Sequence, residues 1–181
     1  MAACRVSPVP PLQWFGATYV ELFRNAPLSV LMLLFVFGLT KAGVGPYSFF
    51  ASAIVVLSIY TSAFLAETFR AGINTVAAGQ AEAARAIGLT FPQTLGIVVF
   101  PQALRTVVGP IGNLFIALIK NSSIASVISV LELSKRSNLL IDQQGVSPIP
   151  VFLGAAVAYL ILTLPSGFLV GYVERKVSIK R

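Results

Sequence analysis

The chain has 181 residues, of which 56% are hydrophobic and only 10% charged, with a net charge of +7 and a mean hydropathy of +0.87. A soluble domain carries about 25% charged residues, so this composition describes a chain whose outer surface faces lipid. It contains no His and a single Cys, Cys4, which rules out an internal disulfide and leaves a zinc, haem or Cys–His nucleophile site without its usual ligands. The apolar runs are continuous rather than alternating, which favours spanning helices over a barrel. The basic residues are dispersed and not interleaved with exposed aromatics, which argues against nucleic acid and for anchoring at the membrane surface.

In chain order, residues 1–24 are interrupted by Pro8, Pro10 and Pro11. They form neither a span nor the apolar region of a signal peptide. From Trp14 to Phe23 an amphipathic interfacial helix is expected, with Trp14 and Tyr19 at headgroup level. Asn25 is positioned to cap the next helix and Pro27 to sit in its first turn. A first span is predicted over 26–41, where the uncharged window between Arg24 and Lys41 reaches about 24 Å in helical form. Gly43, Gly45 and Pro46 make a turn, and a second span follows over 46–66. Glu67 and Arg70, one helical turn apart, read as an intra-helix pair at the membrane boundary rather than as substrate ligands.

Residues 71–100 are a polar interruption. A third span is predicted over 106–131, broken at Gly109-Pro110 and Gly112, and residues 132–147 are read as a polar loop. The last span, over 148–173, carries Pro165, where a kink is expected. Arg5, Arg24, Arg70, Arg85, Arg105, Arg175, Lys176, Lys180 and Arg181 fall on one side of this arrangement, and only Lys41, Lys135 and Arg136 on the other. The excess of Lys and Arg makes the first side cytoplasmic, with both chain ends and the 67–105 segment there.

The interruption has its own logic. Asn74 to Ile87 is Ala-rich, with Glu82 and Arg85 at i, i+3. Gly88 sits where a left-handed residue ends a helix. Thr90-Phe-Pro-Gln93 fits a capping box that starts a second helix, with Pro92 harmless in the first turn. The expected result is two helices meeting at an angle fixed by Gly88. Small residues at Ala81, Ala83, Ala84 and Ala86 permit close approach of another surface. On the residues alone two readings stand: a loop with two surface helices, or a rigid docking knob for a soluble partner.

Glu82-Ala83-Ala84, three residues, Gly88, nine residues, then Val98-Val99-Phe100-Pro101 resembles the EAA motif of ABC importer permeases, with Val98 and Phe100 in place of the usual aliphatic residues. Tyr19-Val-Glu-Leu-Phe-Arg24-Asn-Ala-Pro27-Leu28 is similar to the stretch that opens a span in the polar amino acid subfamily. Tyr60 to Ile73 with Gly79-Gln80, and Leu118-Ile-Lys120-Asn-Ser-Ser123 ahead of Ser126 to Leu133, resemble the same subfamily, in its glutamate-uptake branch.

The resemblance implies an all-α polytopic membrane protein with the type I ABC importer permease fold, of four predicted spans and a cytoplasmic coupling-helix loop over 71–100. It implies that Gln80, Glu82, Ala83, Ala84, Arg85, Gly88 and Pro101 belong to the segment that docks on an ATP-binding subunit. The implied function is the transmembrane subunit of an ATP-driven importer of a polar amino acid, glutamate first. The implied location is the bacterial plasma membrane, with the C-terminus cytoplasmic. Its partners would be the ATPase, a second permease chain (a heterodimer favoured over a homodimer), an extracytoplasmic amino acid-binding protein and membrane lipid. Family members usually carry one further span ahead of the Arg5-x-Ser-Pro8 stretch, so this chain is expected to lack the first.

No cofactor is expected on the chain itself. It contains no Gly-Lys dipeptide, so no Walker A loop, and ATP would be used by the partner. Residues expected along a substrate path are Asn113, beside the anticipated helix break, Lys120 at membrane depth, which reads equally as a structural charge near the outer end of the span, and Asn121, Ser122 and Ser123. The competing class is an ion-coupled secondary transporter or channel, whose usual signs are internal repeats and intramembrane carboxylates. No clear repeat is visible, and no acidic residue falls inside a predicted span. A membrane enzyme would have to assemble its site without His and from six carboxylates outside the spans.

Overall fold

The proline pattern sets the first corner of the molecule. In the computed structural model, which describes residues 1–7, 9–44 and 48–177, a short helix α1 (Ala2–Arg5) packs on α2 (Pro10–Asn25), whose first positions Pro10 and Pro11 have no N–H to leave unpaired. Pro8, the Gly45-Pro46 turn with the start of the second predicted span, and the basic residues Lys180 and Arg181 lie outside the described residues. α2 stops because Pro27 forces the residue before it, Ala26, into extended backbone. Pro27 itself occupies the cap position of α3 (Leu28–Leu33). Asn25 is therefore not the expected cap. It is the last residue of α2, and its amide donates to Glu21 at 3.0 Å. The two helices meet at 105°.

α3 widens into a π-helical turn, Leu34–Leu39. α4 (Phe49–Asn74) begins where Ser48 Oγ accepts the Ala51 N–H at 3.1 Å. It continues beyond the expected end at residue 66. Leu28, Met32 and Val36 pack with Ala53 and Val56 of α4 and with Ala125 and Ile128 further along the chain. Met32, at 0% exposure, is a packing residue and not a lipid-facing one. In lipid such contacts contribute dispersion and shape, because hydrocarbon already solvates apolar side chains. Polar ties add specificity. The Tyr19 hydroxyl lies 2.7 Å from Ser62 Oγ and 3.1 Å from the Ile59 carbonyl, so Tyr19 ties α2 to α4.

After α5 (Ala78–Ala86), α6 (Phe91–Gln93) and a π-helical turn (Thr94–Val99), α7 runs from Phe100 to Asn121. The expected break at Gly109-Pro110 does not occur. Pro110 forfeits one ladder hydrogen bond, which a helix packed on both sides tolerates. The glycines serve packing instead. A Cβ on Gly109 would run into the Glu174 carboxylate, and one on Gly112 into Val170, so they let α7 and α9 approach closely. The helix departs from α geometry only later, in a 3-10 turn over Ser122–Ile128 that closes on Ser129 at φ 63°.

Residues 132–147, expected as a loop, contain α8 (Leu133–Gln144). Glu132 makes that helix: its carboxylate accepts the Ser134 and Lys135 N–H groups, each at 2.8 Å, and the Tyr159 hydroxyl of α9 at 3.1 Å. α9 (Pro148–Val177) continues through Pro165. Among the described residues, three helical stretches are long and apolar enough to cross a membrane: Phe49–Asn74, Phe91–Ile128 and Pro148–Val177. The bent pair Pro10–Asn25 and Leu28–Leu39 makes a fourth if it acts as one broken span.

The α7–α9 packing gives a direct test. Gly112→Ala should destabilise the protein by about 1–3 kcal/mol through overpacking against Val170. Gly171→Ala, where an added Cβ meets nothing within 4 Å, should be neutral or stabilising by up to about 1 kcal/mol. Thermal unfolding of the two variants in detergent checks the contrast.

Candidate functional site

The segment between α4 and α7 is a pair of short helices set at a fixed corner. α5 ends in a Schellman motif. The Gly88 N–H donates to the Arg85 carbonyl at 3.0 Å and the Leu89 N–H to the Ala84 carbonyl at 3.1 Å. Gly88 adopts φ +92°, and an added Cβ would meet nothing within 4 Å. Glycine is thus required there by backbone conformation and not by space. Two residues on, Gln93 Oε1 accepts the Thr90 N–H and the Thr90 hydroxyl, both at 2.9 Å, and closes the predicted capping box of α6. Together the two motifs define the turn between Ile87 and Thr90.

Below this corner the π-helical turn Thr94–Val99 leads into α7, with Pro101 in its first turn. A proline ring crowds the carbonyl four residues earlier, and local widening of the helix relieves that crowding. Pro101 thus continues the Phe91–Ile128 helical stretch rather than opening it. Gln102 anchors α5 to α7. Its amide donates to Gln80 Oε1 and, at 2.9 Å, to the Val98 carbonyl. Gln80, predicted as a coupling residue, is thereby tied to a spanning helix. Gln102 was not visible as a site residue in the sequence, since nothing in its spacing marks the cross-chain pairing.

Of the expected coupling residues, Ala84 is the one turned inward, at 5% exposure. Glu82, Ala83 and Arg85 are exposed, and Glu82 and Arg85 make no ion pair among the described residues. Both charges are thus available to another surface. Ile87 and Phe91 stand beside them at 81% and 70% exposure. The corner thus exposes a large aliphatic and an aromatic side chain next to its two charges. The sequence carried that signal in Ile87, an isolated apolar residue beside Gly88, without its exposure being readable.

The residues expected along a substrate path gather at the far end of α7. Lys120 is exposed in its last turn, and Asn121 closes it. The Ser122 hydroxyl donates to the Ile119 carbonyl and the Ser123 hydroxyl to the Lys120 carbonyl, each at 2.7 Å. Both serine donors are therefore engaged in ending the helix, with their lone pairs remaining. Asn113 is exposed about two turns away, on unbroken helix. Glu67 accepts from Arg70 Nε at 3.0 and 3.1 Å and from Arg5 Nη2 at 3.2 Å, so the expected pair holds and gains a third member from α1.

The chain as a whole resembles known proteins. A family model described as the binding-protein-dependent transport system inner membrane component matches residues 1–179. The chain is 42% identical over 176 residues to the probable glutamine ABC transporter permease protein GlnM of Bacillus subtilis, covering 97% of this chain and 81% of that one. It is 42% identical over 192 residues to the glutamate transport system permease protein GluC of Corynebacterium efficiens, covering 100% of this chain and 84% of that one. Among solved structures, an amino acid ABC transporter crystallised with histidines superposes with a TM-score of 0.89 at 32% identity, over 97% of this chain and 81% of that chain. The chain belongs to the binding-protein-dependent transport system inner membrane components, the permease subunits of ABC importers, whose ATPase is a separate subunit.

Proposed function

We propose that the chain carries a polar amino acid, glutamate in the first instance, across the bacterial plasma membrane, and that the α5–α6 corner is the part an ATP-binding subunit grips. The observation that carries this reading is the corner itself. It is fixed by the Gly88 Schellman turn and the Thr90–Gln93 box, tied to α7 through Gln80 and Gln102, and it presents Glu82, Ala83, Arg85 and Ile87 outward. A partner that binds this surface differently in its ATP-bound and ATP-free states shifts the equilibrium between outward- and inward-facing forms, since only differential affinity moves an equilibrium. Pro101, in the first turn of α7, keeps the corner continuous with the span.

In this reading the corner and the C-terminus face the cytoplasm, in line with the distribution of Lys and Arg. An extracytoplasmic amino acid-binding protein delivers the substrate on the opposite side. A second, non-identical permease chain completes the pathway. Asn113, Lys120, Asn121, Ser122 and Ser123 supply its polar lining, with the Lys120 ammonium suited to a substrate carboxylate. The substrate assignment draws on the glutamine and glutamate permeases that the chain resembles.

Two experiments test it. Co-purification with the ATP-binding subunit should fall about tenfold for Gly88→Ala, which meets no clash but carries about 1–2 kcal/mol of left-handed backbone strain. It should be lost for Glu82→Lys and Ile87→Glu while membrane insertion persists; full retention in all three contradicts the reading. In a Cys4→Ser background, a cysteine placed at Glu82 should react with a membrane-impermeant maleimide in inverted vesicles and not in intact cells. The opposite pattern overturns the orientation.

A further inference from the structure

Beside the start of α2 lies a pocket of about 400 Å³ lined by Arg5, Gln13, Trp14, Ala17, Thr18 and Arg70. Among the described residues, two guanidinium groups border it and no carboxylate does. Two acidic residues nearby are already paired with these cations: Glu67 accepts from Arg70 and Arg5, and Glu21 lies 3.9 Å from Arg5. A guanidinium has five N–H donors, so these pairs leave donors free on both arginines. Arg5 is held at 14% side-chain exposure, a cation withdrawn from solvent and fixed in place. Gln13 and Thr18 add neutral hydrogen-bonding groups, while Trp14 and Ala17 add an apolar wall.

The position narrows the ligand. Arg70 stands one turn before Asn74, the end of a helix long and apolar enough to span the membrane. Trp14 is 76% exposed at the same end, where indole side chains favour the headgroup layer. Arginine forks match phosphate oxygens, and lipid phosphates lie in the same headgroup layer that indole side chains favour. We propose that this pocket binds the phosphate of an anionic phospholipid, in the leaflet on the α5–α6 side, with Arg5 and Arg70 on the phosphate, Gln13 and Thr18 on the polar headgroup and Trp14 against the glycerol backbone. This goes beyond the transport reading and does not depend on the substrate.

Trp14 is the chain's only tryptophan, so its fluorescence reports the pocket alone. The full chain is reconstituted in phosphatidylcholine bilayers containing dibrominated phosphatidylglycerol or dibrominated phosphatidylcholine as quencher. The phosphatidylglycerol should quench Trp14 at a several-fold lower mole fraction. Arg5→Gln and Arg70→Gln should each reduce that preference about fivefold, and Arg105→Gln, outside the pocket, should leave it intact. Thr18→Val keeps every ion pair and should also lower the preference, which decides the matter if the arginine variants fail to fold. Equal quenching by the two lipids, or a preference unchanged in Thr18→Val and the arginine variants, overturns the proposal. So does a Trp14 emission shift produced equally well by inorganic phosphate in bilayers of phosphatidylcholine alone, because the ligand is then a soluble anion.

Discussion

A single backbone conformation fixes how the polar segment between α4 and α7 turns. At Gly88 the chain takes φ +92°, a region that costs any residue with a Cβ about 1–2 kcal/mol. That turn, with the capping box two residues later, converts a polar segment into a rigid corner. Without it α5 and α6 would be two short helices on flexible connections, and isolated helices of that length are marginal in water. The exposed charges and Ile87 would then have no defined relation to the membrane.

Rigidity at the corner matters only if it reaches the spans. Gln102 joins Gln80 to α7, and α7 packs against both α4 and α9. The contact with α9 is close because Gly109 and Gly112 carry no side chain where Glu174 and Val170 sit. In hydrocarbon, where burial of apolar surface offers little, such small-residue seams and a few polar ties hold helices in register. Tyr19 on Ser62, Tyr159 on Glu132, Arg5 on Glu67 and Thr75 on Thr106 are among the ties here. A displacement of the corner thus arrives at the helix that borders the other spans on both faces.

The sequence disclosed these parts unevenly, for physical reasons. The corner was legible because its determinants are local: a glycine after an Ala-rich helix and a Thr-x-x-Gln box act over a few residues. Glu67 and Arg70 were legible for the same reason. Gly109, Pro110 and Gly112 misled, because the same residues that break an isolated helix also allow a neighbour to pack closely, and only the position of α9 decides between them. The polar run after Leu131 was a helix and not a loop, since Glu132 caps it and finds Tyr159 in a distant segment. Arg5 joining Glu67, and Gln102 joining Gln80, depend on tertiary neighbours that no spacing rule encodes.

The most direct test of the central claim places a short photoreactive crosslinker on a cysteine at Ala83, in a Cys4→Ser chain assembled with the ATP-binding subunit and the second permease proposed as its partners. The account predicts a crosslink to the ATP-binding subunit whose yield changes when ATP is bound. A crosslink to lipid, or one to the second permease alone in an intact complex, would contradict it.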